Sequence, residues 1–126
     1  MKKIISLIFI MFLLPGAVIA GGTWGALAYD KNTGRSGYSW NQYGRHSAIR
    51  AAMRRCGHDC RILTTFSRSC VALATDRRGV YGWARDHNSY SARRRARNAC
   101  RRYGGHHCRV KVSVCSGVSV NRRHYY

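Results

Sequence analysis

The hydrophobic positions of this chain fall into one pattern at the start and a second pattern that occurs twice. Residues 4–14 form an apolar run in which Ser6 is the single polar residue. Beyond residue 22, short stretches with alternating apolar positions are followed by a stretch with helical spacing, and the same order then returns. The two occurrences predict an α+β domain that contains an antiparallel sheet of about six strands and two helices, built from two ββαβ repeats.

The first repeat, at about 24–70, is predicted to contain a hairpin, a helix and a third strand. The hairpin strands are placed at 24–29 and 35–40, the helix at 47–55 and the last strand at 61–66. Ser47 is the expected N-cap of the helix, and Gly57 ends it. The apolar face of the helix is formed by Ala48, Ile49, Ala52, Met53 and Cys56.

The second repeat, at about 71–116, has the same predicted order of elements. Its hairpin strands are placed at 71–75 and 80–84, its helix at 91–102 with Ser91 as N-cap, and its last strand at 109–114. The apolar face of this helix is formed by Ala92, Ala96, Ala99, Cys100 and Tyr103. Equivalent landmarks lie 44 to 48 residues apart. Because two copies are too few for a solenoid, we expect one domain at 21–116, followed by a basic and aromatic tail at 117–126.

The first twenty residues have the features of a secretory signal peptide. Lys2 and Lys3 precede the apolar run, and small residues around Ala20 offer a cleavage site. The run is shorter than the roughly 20 residues that a membrane-spanning helix needs. We therefore expect an exported protein, periplasmic or secreted, with no transmembrane anchor after cleavage.

If the protein is exported, the six cysteines are expected to form disulfide bonds. In an oxidising compartment, an even number of cysteines in a short chain predicts a disulfide framework. Three cysteines per repeat is an odd number, so at least one bridge should join the repeats if all six pair. The simplest symmetric scheme is Cys56–Cys60, Cys100–Cys108 and Cys70–Cys115. Six cysteines allow 15 pairings, so other schemes stay open, including a bridge between Cys60 and Cys70.

Several landmarks of the two repeats are similar to those of a known family. They are Trp24–Tyr29, the alanine-rich helix that ends at Cys56, the triplet at 60–62, the segment 70–74, Gly82-Trp83, and the second helix with Cys100, Cys108 and Cys115. In these residues the chain resembles a bacterial family of small exported proteins, domain of unknown function 4189. The family has no established common chemistry. Some similar proteins sit beside secreted toxins, so the resemblance implies an inhibitor or immunity role. The chain departs from the family in its arginine content.

Composition adds the strongest functional signal. The chain has 23 Lys and Arg against 4 Asp, no Glu, and a formal net charge of +19. On the second helix, Arg94, Arg97 and Arg101 are expected opposite the apolar face. Guanidinium groups match carboxylates and phosphates, and no acidic residue interleaves with these arginines. The predicted anion- or partner-binding residues are Arg94, Arg97, Arg101, Arg93, Arg50 and Arg54. The alternative is a solvated helix face.

These features predict a non-catalytic binding module, with an acidic protein as partner. The alternative is an anionic envelope polymer, a lipid or nucleic acid, with antimicrobial action included, and nonspecific binding to nucleic acid is expected at this charge. No catalytic residue, metal site or cofactor is predicted. Histidines neighbour Cys60 and Cys108, but zinc would need free thiolates. The aromatic residues of the predicted strands favour core or cross-strand packing over base stacking. They are Tyr29, Tyr38, Trp40, Tyr81 and Trp83.

Overall fold

The computed structural model describes residues 22–118, which form two halves with the same order of elements. The first half contains β1 (Trp24–Tyr29), β2 (Ser36–Gln42), α1 (Arg45–Cys56) and β3 (Arg61–Ser67). The second half contains β4 (Ser69–Thr75), β5 (Tyr81–Asp86), α2 (Ser89–Arg102) and β6 (Arg109–Ser116). The prediction of an α+β domain with two helices and six antiparallel strands is confirmed. The predicted signal peptide and residues 119–126 of the predicted tail lie outside the described residues.

The six strands form two sheets of three strands instead of a single sheet. Their orders are β2-β1-β3 and β5-β4-β6, so the first strand of each half lies at the centre of its sheet. Arg68 is the only residue between β3 and β4, and its φ of 53° turns the chain from the first sheet into the second.

The two sheets pack face to face, and one helix covers each outer face. Because side chains alternate along a strand, Leu27 and Tyr29 of β1 point toward the second sheet. Ala26 and Ala28 of the same strand point toward α1. In β4, the residues that face the other sheet are Val71 and Leu73, and those that face α2 are Cys70, Ala72 and Ala74. The result is a four-layer arrangement of helix, sheet, sheet and helix.

Each helix lies very close to its sheet because the contact residues are small. A Cβ atom added to Gly37 of β2 would lie 2.4 Å from the carbonyl oxygen of Ala52 in α1. A Cβ atom added to Gly82 of β5 would lie 2.2 Å from the backbone nitrogen of Cys100 in α2. Real Cβ atoms do not approach other atoms this closely, so glycine is required at both positions.

The helix starts and one helix face differ from expectation. α1 begins after Gly44 without a side-chain cap, so Ser47 lies inside the helix. α2 begins after Asn88, whose side-chain oxygen accepts a hydrogen bond from the backbone N–H of Ser91 at 2.8 Å, so Ser91 is not the cap. Tyr103 is not part of the apolar face either, because the helix ends at Arg102 and the Tyr103 side chain is 75% exposed.

Three disulfides staple the described chain, and they are the pairs of the symmetric scheme: Cys56–Cys60, Cys100–Cys108 and Cys70–Cys115. The first two each tie the end of a helix to the start of the next strand. The third was expected to join the two repeats, but Cys70 belongs to β4, directly opposite Cys115 of β6. This bridge therefore lies within the second sheet, and apolar packing between the sheets holds the two halves together.

The contact between Gly82 and α2 gives a prediction about stability. We expect Gly82→Ala to lower the free energy of unfolding by about 2–3 kcal/mol, because the new methyl group must push α2 away from its sheet. Gly44→Ala is the control, since no atom lies within 4 Å of the place that its new methyl group would take. Denaturant unfolding of the oxidised proteins measures both changes. Equal stability of the two variants would contradict a close helix–sheet contact.

Candidate anion-binding groove

Two of the four acidic residues hold tight turns at equivalent places in the two halves. Asp30 follows β1 and accepts hydrogen bonds from the N–H of Asn32 at 3.0 Å and the hydroxyl of Thr33 at 2.9 Å. These bonds lower the pKa of Asp30. Asp76 follows β4, and its partners are the backbone N–H groups of Arg78, Val80 and His106. Burial of Asp76 opposes its charge, but these N–H groups and the charge of Arg78 outweigh that effect, so its pKa is lowered.

The other two acidic residues lie elsewhere. Asp86 accepts a hydrogen bond from the N–H of His87 and pairs with Arg95 at 3.1 Å, and both contacts lower its pKa. Asp59 is exposed beside His58. Residues 22–118 contain 17 Arg and two Lys against these four Asp. Since three of the four carboxylates serve turns and a local ion pair, most arginines of the described chain have no acidic partner.

An open groove between α2 and β6 collects some of these cations. It has a volume of about 580 Å³ and is lined by Tyr90, Arg93, Arg97, Val110, Lys111 and Ser113. Arg93 and Arg97 lie one helical turn apart, half-buried, on the flank of α2 that faces β6. Within the described residues, no hydrogen bond or ion pair engages either guanidinium group. The groove therefore presents free N–H donors, two hydroxyl groups and no carboxylate.

Lys111 lies beside the groove at a point where β6 is irregular. Leu73 pairs with Val112 and Ala74 pairs with Val110, so Lys111 is an extra residue in the strand. Lys111 is among the residues that line the groove, but its ammonium group reaches the first half, where it donates a hydrogen bond to the carbonyl oxygen of Gly34 and lies 6.0 Å from the ring of Tyr29.

The first half has apolar residues at the positions that correspond to the groove arginines. Arg93 and Arg97 lie seven and three residues before Cys100, which ends the buried face of α2. The residues seven and three positions before Cys56 in α1 are Ile49 and Met53. Both are partly buried against the apolar cluster between α1 and its sheet. The second half therefore carries two guanidinium groups where the first half has two hydrophobic side chains.

The bulged position shows the same difference. In the first sheet, Leu27 pairs with Thr64 and Ala28 pairs with Ile62, so Leu63 is the extra residue of β3. Leu63 packs against the core between the sheets. Lys111 is its counterpart in β6. Three apolar residues of the first half thus correspond to three cations in the second, on the same backbone arrangement.

The structure brings together only part of the predicted arginine set. Arg93 and Arg97 line the groove, and Arg94 lies beside it, 5.9 Å from the ring of Tyr90. Arg97 was expected opposite the apolar face, but it is half-buried on the flank, because α2 also packs against β6 on that side. Arg101 is exposed on the outer face of α2 and donates to Asn98 at 3.4 Å.

The two arginines predicted on the first helix lie apart from this site. Arg50 and Arg54 are exposed on α1, which covers the opposite outer face of the four-layer arrangement. A ligand in the groove between α2 and β6 would not contact them. Helical spacing had placed them opposite the apolar face of their helix, like the arginines of the second helix, and the sequence carried no signal for the layer in which each helix lies.

Sequence reasoning missed four residues that line the groove: Tyr90, Val110, Lys111 and Ser113. Tyr90 had a detectable signal, because it precedes Arg93 and Arg97 by three and seven positions and so shares their helix face. Lys111 is the one lysine of β6 and breaks a run of valines, but its direction depends on the bulge.

The described residues offer little for other kinds of chemistry. All six cysteines are in disulfides, and no group of three or more His, Cys, Asp or Glu side chains in residues 22–118 could hold a metal ion. Nor does either described helix have the length and apolar character needed to cross a membrane. The arrangement that the groove does provide is suited to hydrogen bonding with an anionic group.

Comparisons with known proteins connect the chain to one family. The family model described as "Domain of unknown function (DUF4189)" matches residues 24–115. Similar curated proteins include Protein Rv1269c of Mycobacterium tuberculosis and Protein Mb1300c of Mycobacterium bovis, each 39% identical over 64 residues, or 50% of this chain and 50% of the relative. The chain thus spans about half the length of the curated relatives it matches. No solved structure matches it.

The lowered pKa values of the structural carboxylates predict how stability depends on pH. A lowered folded-state pKa contributes stability above the ordinary value of about 3.9, and this contribution is lost as the pH falls through the folded-state pKa. We expect the thermal midpoint to fall below about pH 4. Asp76→Asn should lower the midpoint at pH 7 and weaken its acid dependence, because the amide has only one acceptor oxygen and cannot accept from both the Arg78 and Val80 N–H groups and the His106 N–H group. Thermal melts monitored by circular dichroism measure both effects.

Asp59→Asn is the matched control, because the Asp59 side chain is 77% exposed and holds no turn. It should leave both the midpoint and the acid dependence close to those of the unmodified protein. If the Asp76 variant behaved in the same way, the carboxylate would not support the fold.

Proposed function

The chain belongs to the DUF4189 family, and from this premise we propose that it is a non-catalytic binding module for an acidic protein partner. The binding surface is centred on the groove between α2 and β6 and includes the adjacent outer face of α2. The observation that carries the proposal is that two apolar residues on the helix flank of the first half correspond to two cations in the second half. Ile49 and Met53 of the first half correspond to Arg93 and Arg97 of the second.

This replacement is unfavourable for folding alone. Full burial of an Ile or Met side chain contributes about 1.5–3 kcal/mol; Ile49 and Met53 are partly buried and gain part of this, which the second half forgoes at both positions. Like charges one turn apart on a helix also repel, and no carboxylate of the described residues offsets Arg93 or Arg97. A partner that supplies carboxylates would relieve the repulsion and recover stability on binding.

The lining of the groove favours the side chains of a protein over a simple polyanion. Arg93 and Arg97 can each form paired hydrogen bonds with a carboxylate. The ring of Tyr90, which is 64% exposed, and the side chain of Val110 supply apolar contacts for the stem of an Asp or Glu residue. Tyrosine and arginine are the residue types that contribute most at protein interfaces. Three disulfides hold the scaffold rigid, which reduces the entropy lost on binding.

The role that we propose is of the inhibitor or immunity type, in keeping with the implication of the family resemblance. The proposed location is outside the cytoplasm, periplasmic or secreted. Three disulfides support it, because such bonds persist in oxidising compartments. In this role the partner is an acidic protein outside the cytoplasm. The module acts by binding to the partner's surface and catalyses no reaction.

Two double variants test the proposal, because they lower the net charge by the same amount at two different surfaces. Arg93→Gln with Arg97→Gln removes both groove arginines, and Arg50→Gln with Arg54→Gln removes two exposed arginines with the same spacing on α1. The partner is first isolated from native envelope and medium fractions on the oxidised protein, washed at moderate salt, and then purified for titration. We expect the groove variant to lose about 100-fold in affinity and the α1 variant to bind as the unmodified protein does.

The stoichiometry and the salt dependence separate the alternatives. A protein partner should form a complex of one to one that survives the wash and reassembles from the purified components. An anionic envelope polymer, lipid or nucleic acid would bind without fixed stoichiometry, and its affinity would fall steeply as salt rises. Equal losses for the two double variants would show that overall charge drives binding, and the groove would then have no special part.

A further inference from the structure

A second cavity lies on the other flank of α2, beside the edge strand β5. It has a volume of about 450 Å³ and is lined by Gly79, Val80, Tyr81, Gly82, Trp83, Ala99 and Tyr103. Three of these residues are aromatic and none is charged, in contrast with the groove on the opposite flank. We call it the aromatic cavity. Tyr103 forms its most exposed wall, with 75% of its side chain accessible.

The first half has an arginine at the corresponding place. Arg55 precedes Cys56 in α1, as Ala99 precedes Cys100 in α2. The guanidinium carbon of Arg55 lies 4.8 Å from the ring centroid of Trp40 and 5.9 Å from that of Tyr38. Its Nη1 donates a hydrogen bond to the carbonyl oxygen of Tyr38 at 3.1 Å. The edge of β2 is thus covered by a cation that the chain itself supplies.

Contacts in both halves fix the correspondence between these positions. The Sγ atom of Cys56 lies 3.5 Å from the carbonyl oxygen of Arg35, and the Sγ atom of Cys100 lies 3.6 Å from that of Val80. Two residues further along the chain, Gly37 lies against the backbone of α1 at Cys56, and Gly82 lies against the backbone of α2 at Cys100. Trp83 therefore takes the place of Tyr38, and the methyl group of Ala99 takes the place of the Arg55 side chain. Arg85 takes the place of Trp40, and its guanidinium group is held by a hydrogen bond to the carbonyl oxygen of Thr65 at 2.8 Å.

We propose that the aromatic cavity is a binding site for a cationic side chain, a guanidinium or ammonium group supplied by a partner. The equivalent place in the first half already holds a guanidinium group over aromatic rings. In the second half the alanine leaves the wall formed by the partly buried Trp83 and the exposed Tyr103 open to such a group, whereas the ring of Tyr81 packs 4.8 Å from that of Tyr29 between the sheets. Tryptophan is the best aromatic partner for a cation, and the carbonyl oxygens of an edge strand are available as acceptors.

The net positive charge of the chain opposes the approach of a free cation. The side chain must therefore be carried by a molecule with an excess of acidic groups, which would contact the arginine surface at the same time. That identification of the carrier rests on the proposed function. The cavity itself can be tested without it, by means of a small probe.

The probe is N-acetyl-arginine amide, titrated into the oxidised protein at moderate salt and followed by the indole N–H signals of Trp24, Trp40 and Trp83 in NMR spectra. We expect a saturable shift of the Trp83 signal alone. The citrulline analogue has nearly the same shape without the charge, and we expect it to bind about 3- to 30-fold more weakly. A citrulline or leucine amide that bound as tightly would overturn the proposal in favour of an apolar pocket.

Exchange of residues between the halves gives the second test. Ala99→Arg should fill the aromatic cavity with the chain's own guanidinium group and abolish the Trp83 shift. Arg55→Ala should uncover the first-half position, so that the Trp40 signal also shifts and the stoichiometry rises from one to two. Tyr103→Ala removes only an exposed wall and should weaken binding while the fold is kept. Unchanged binding in the Ala99 and Tyr103 variants would overturn the proposal.

The double variant Arg93→Gln with Arg97→Gln separates this inference from the proposed function. It should bind the arginine probe as the unmodified protein does or more tightly, because it carries less positive charge. A loss of the acidic partner with retention of the probe would support both proposals. Loss of the probe in this variant would show that the groove and the aromatic cavity are not separate sites and would overturn the inference.

Discussion

The close contact between each helix and its sheet is the constraint on which the other features depend. Alanines and one glycine per half, Gly37 and Gly82, let the helix backbone approach the strands, and interiors of this kind have no space for an added methyl group. Because small side chains bury little apolar area, each helix–sheet contact is weak by the usual measure of burial. A disulfide at the end of each helix compensates, since Cys56–Cys60 and Cys100–Cys108 hold the helix end against the next strand.

The larger side chains lie between the two sheets, where they hold the halves together. Leu27, Phe66, Val71 and Leu73 fill this layer, and no disulfide of the described residues crosses it. The outer layers can therefore vary in charge without disturbing the central packing. This division explains how one chain carries an apolar helix flank in its first half and a cationic flank in its second. Both functional proposals arise from such differences between halves that share one backbone arrangement.

The sequence predicted some features of the candidate site and missed others for physical reasons. Arg93 and Arg97 were identified because helical spacing and the absence of acidic neighbours can be read directly from the residues. Lys111 was missed because a bulge in β6 sets its direction, and a bulge depends on pairing with β4. Arg50 and Arg54 were grouped with the groove arginines because the sequence shows the charged face of a helix but not the layer of the fold in which that helix lies. The predicted N-caps were wrong because each helix begins earlier: α1 begins after Gly44, and α2 begins after Asn88, whose side chain is the acceptor that Ser91 was expected to be.

What the sequence determined by itself was local or periodic: the strand and helix order, the apolar faces, the cysteine landmarks and the arginine-rich second helix. These follow from spacing along the chain, which does not depend on distant contacts. The tertiary structure decided which residues meet. It divided six strands into two sheets at Arg68, moved the Cys70–Cys115 bridge into one sheet, and opened two cavities beside α2. Such outcomes depend on long-range packing. Whether Arg55 covers a strand edge or Ala99 leaves one open, for example, depends on which strand lies against each helix.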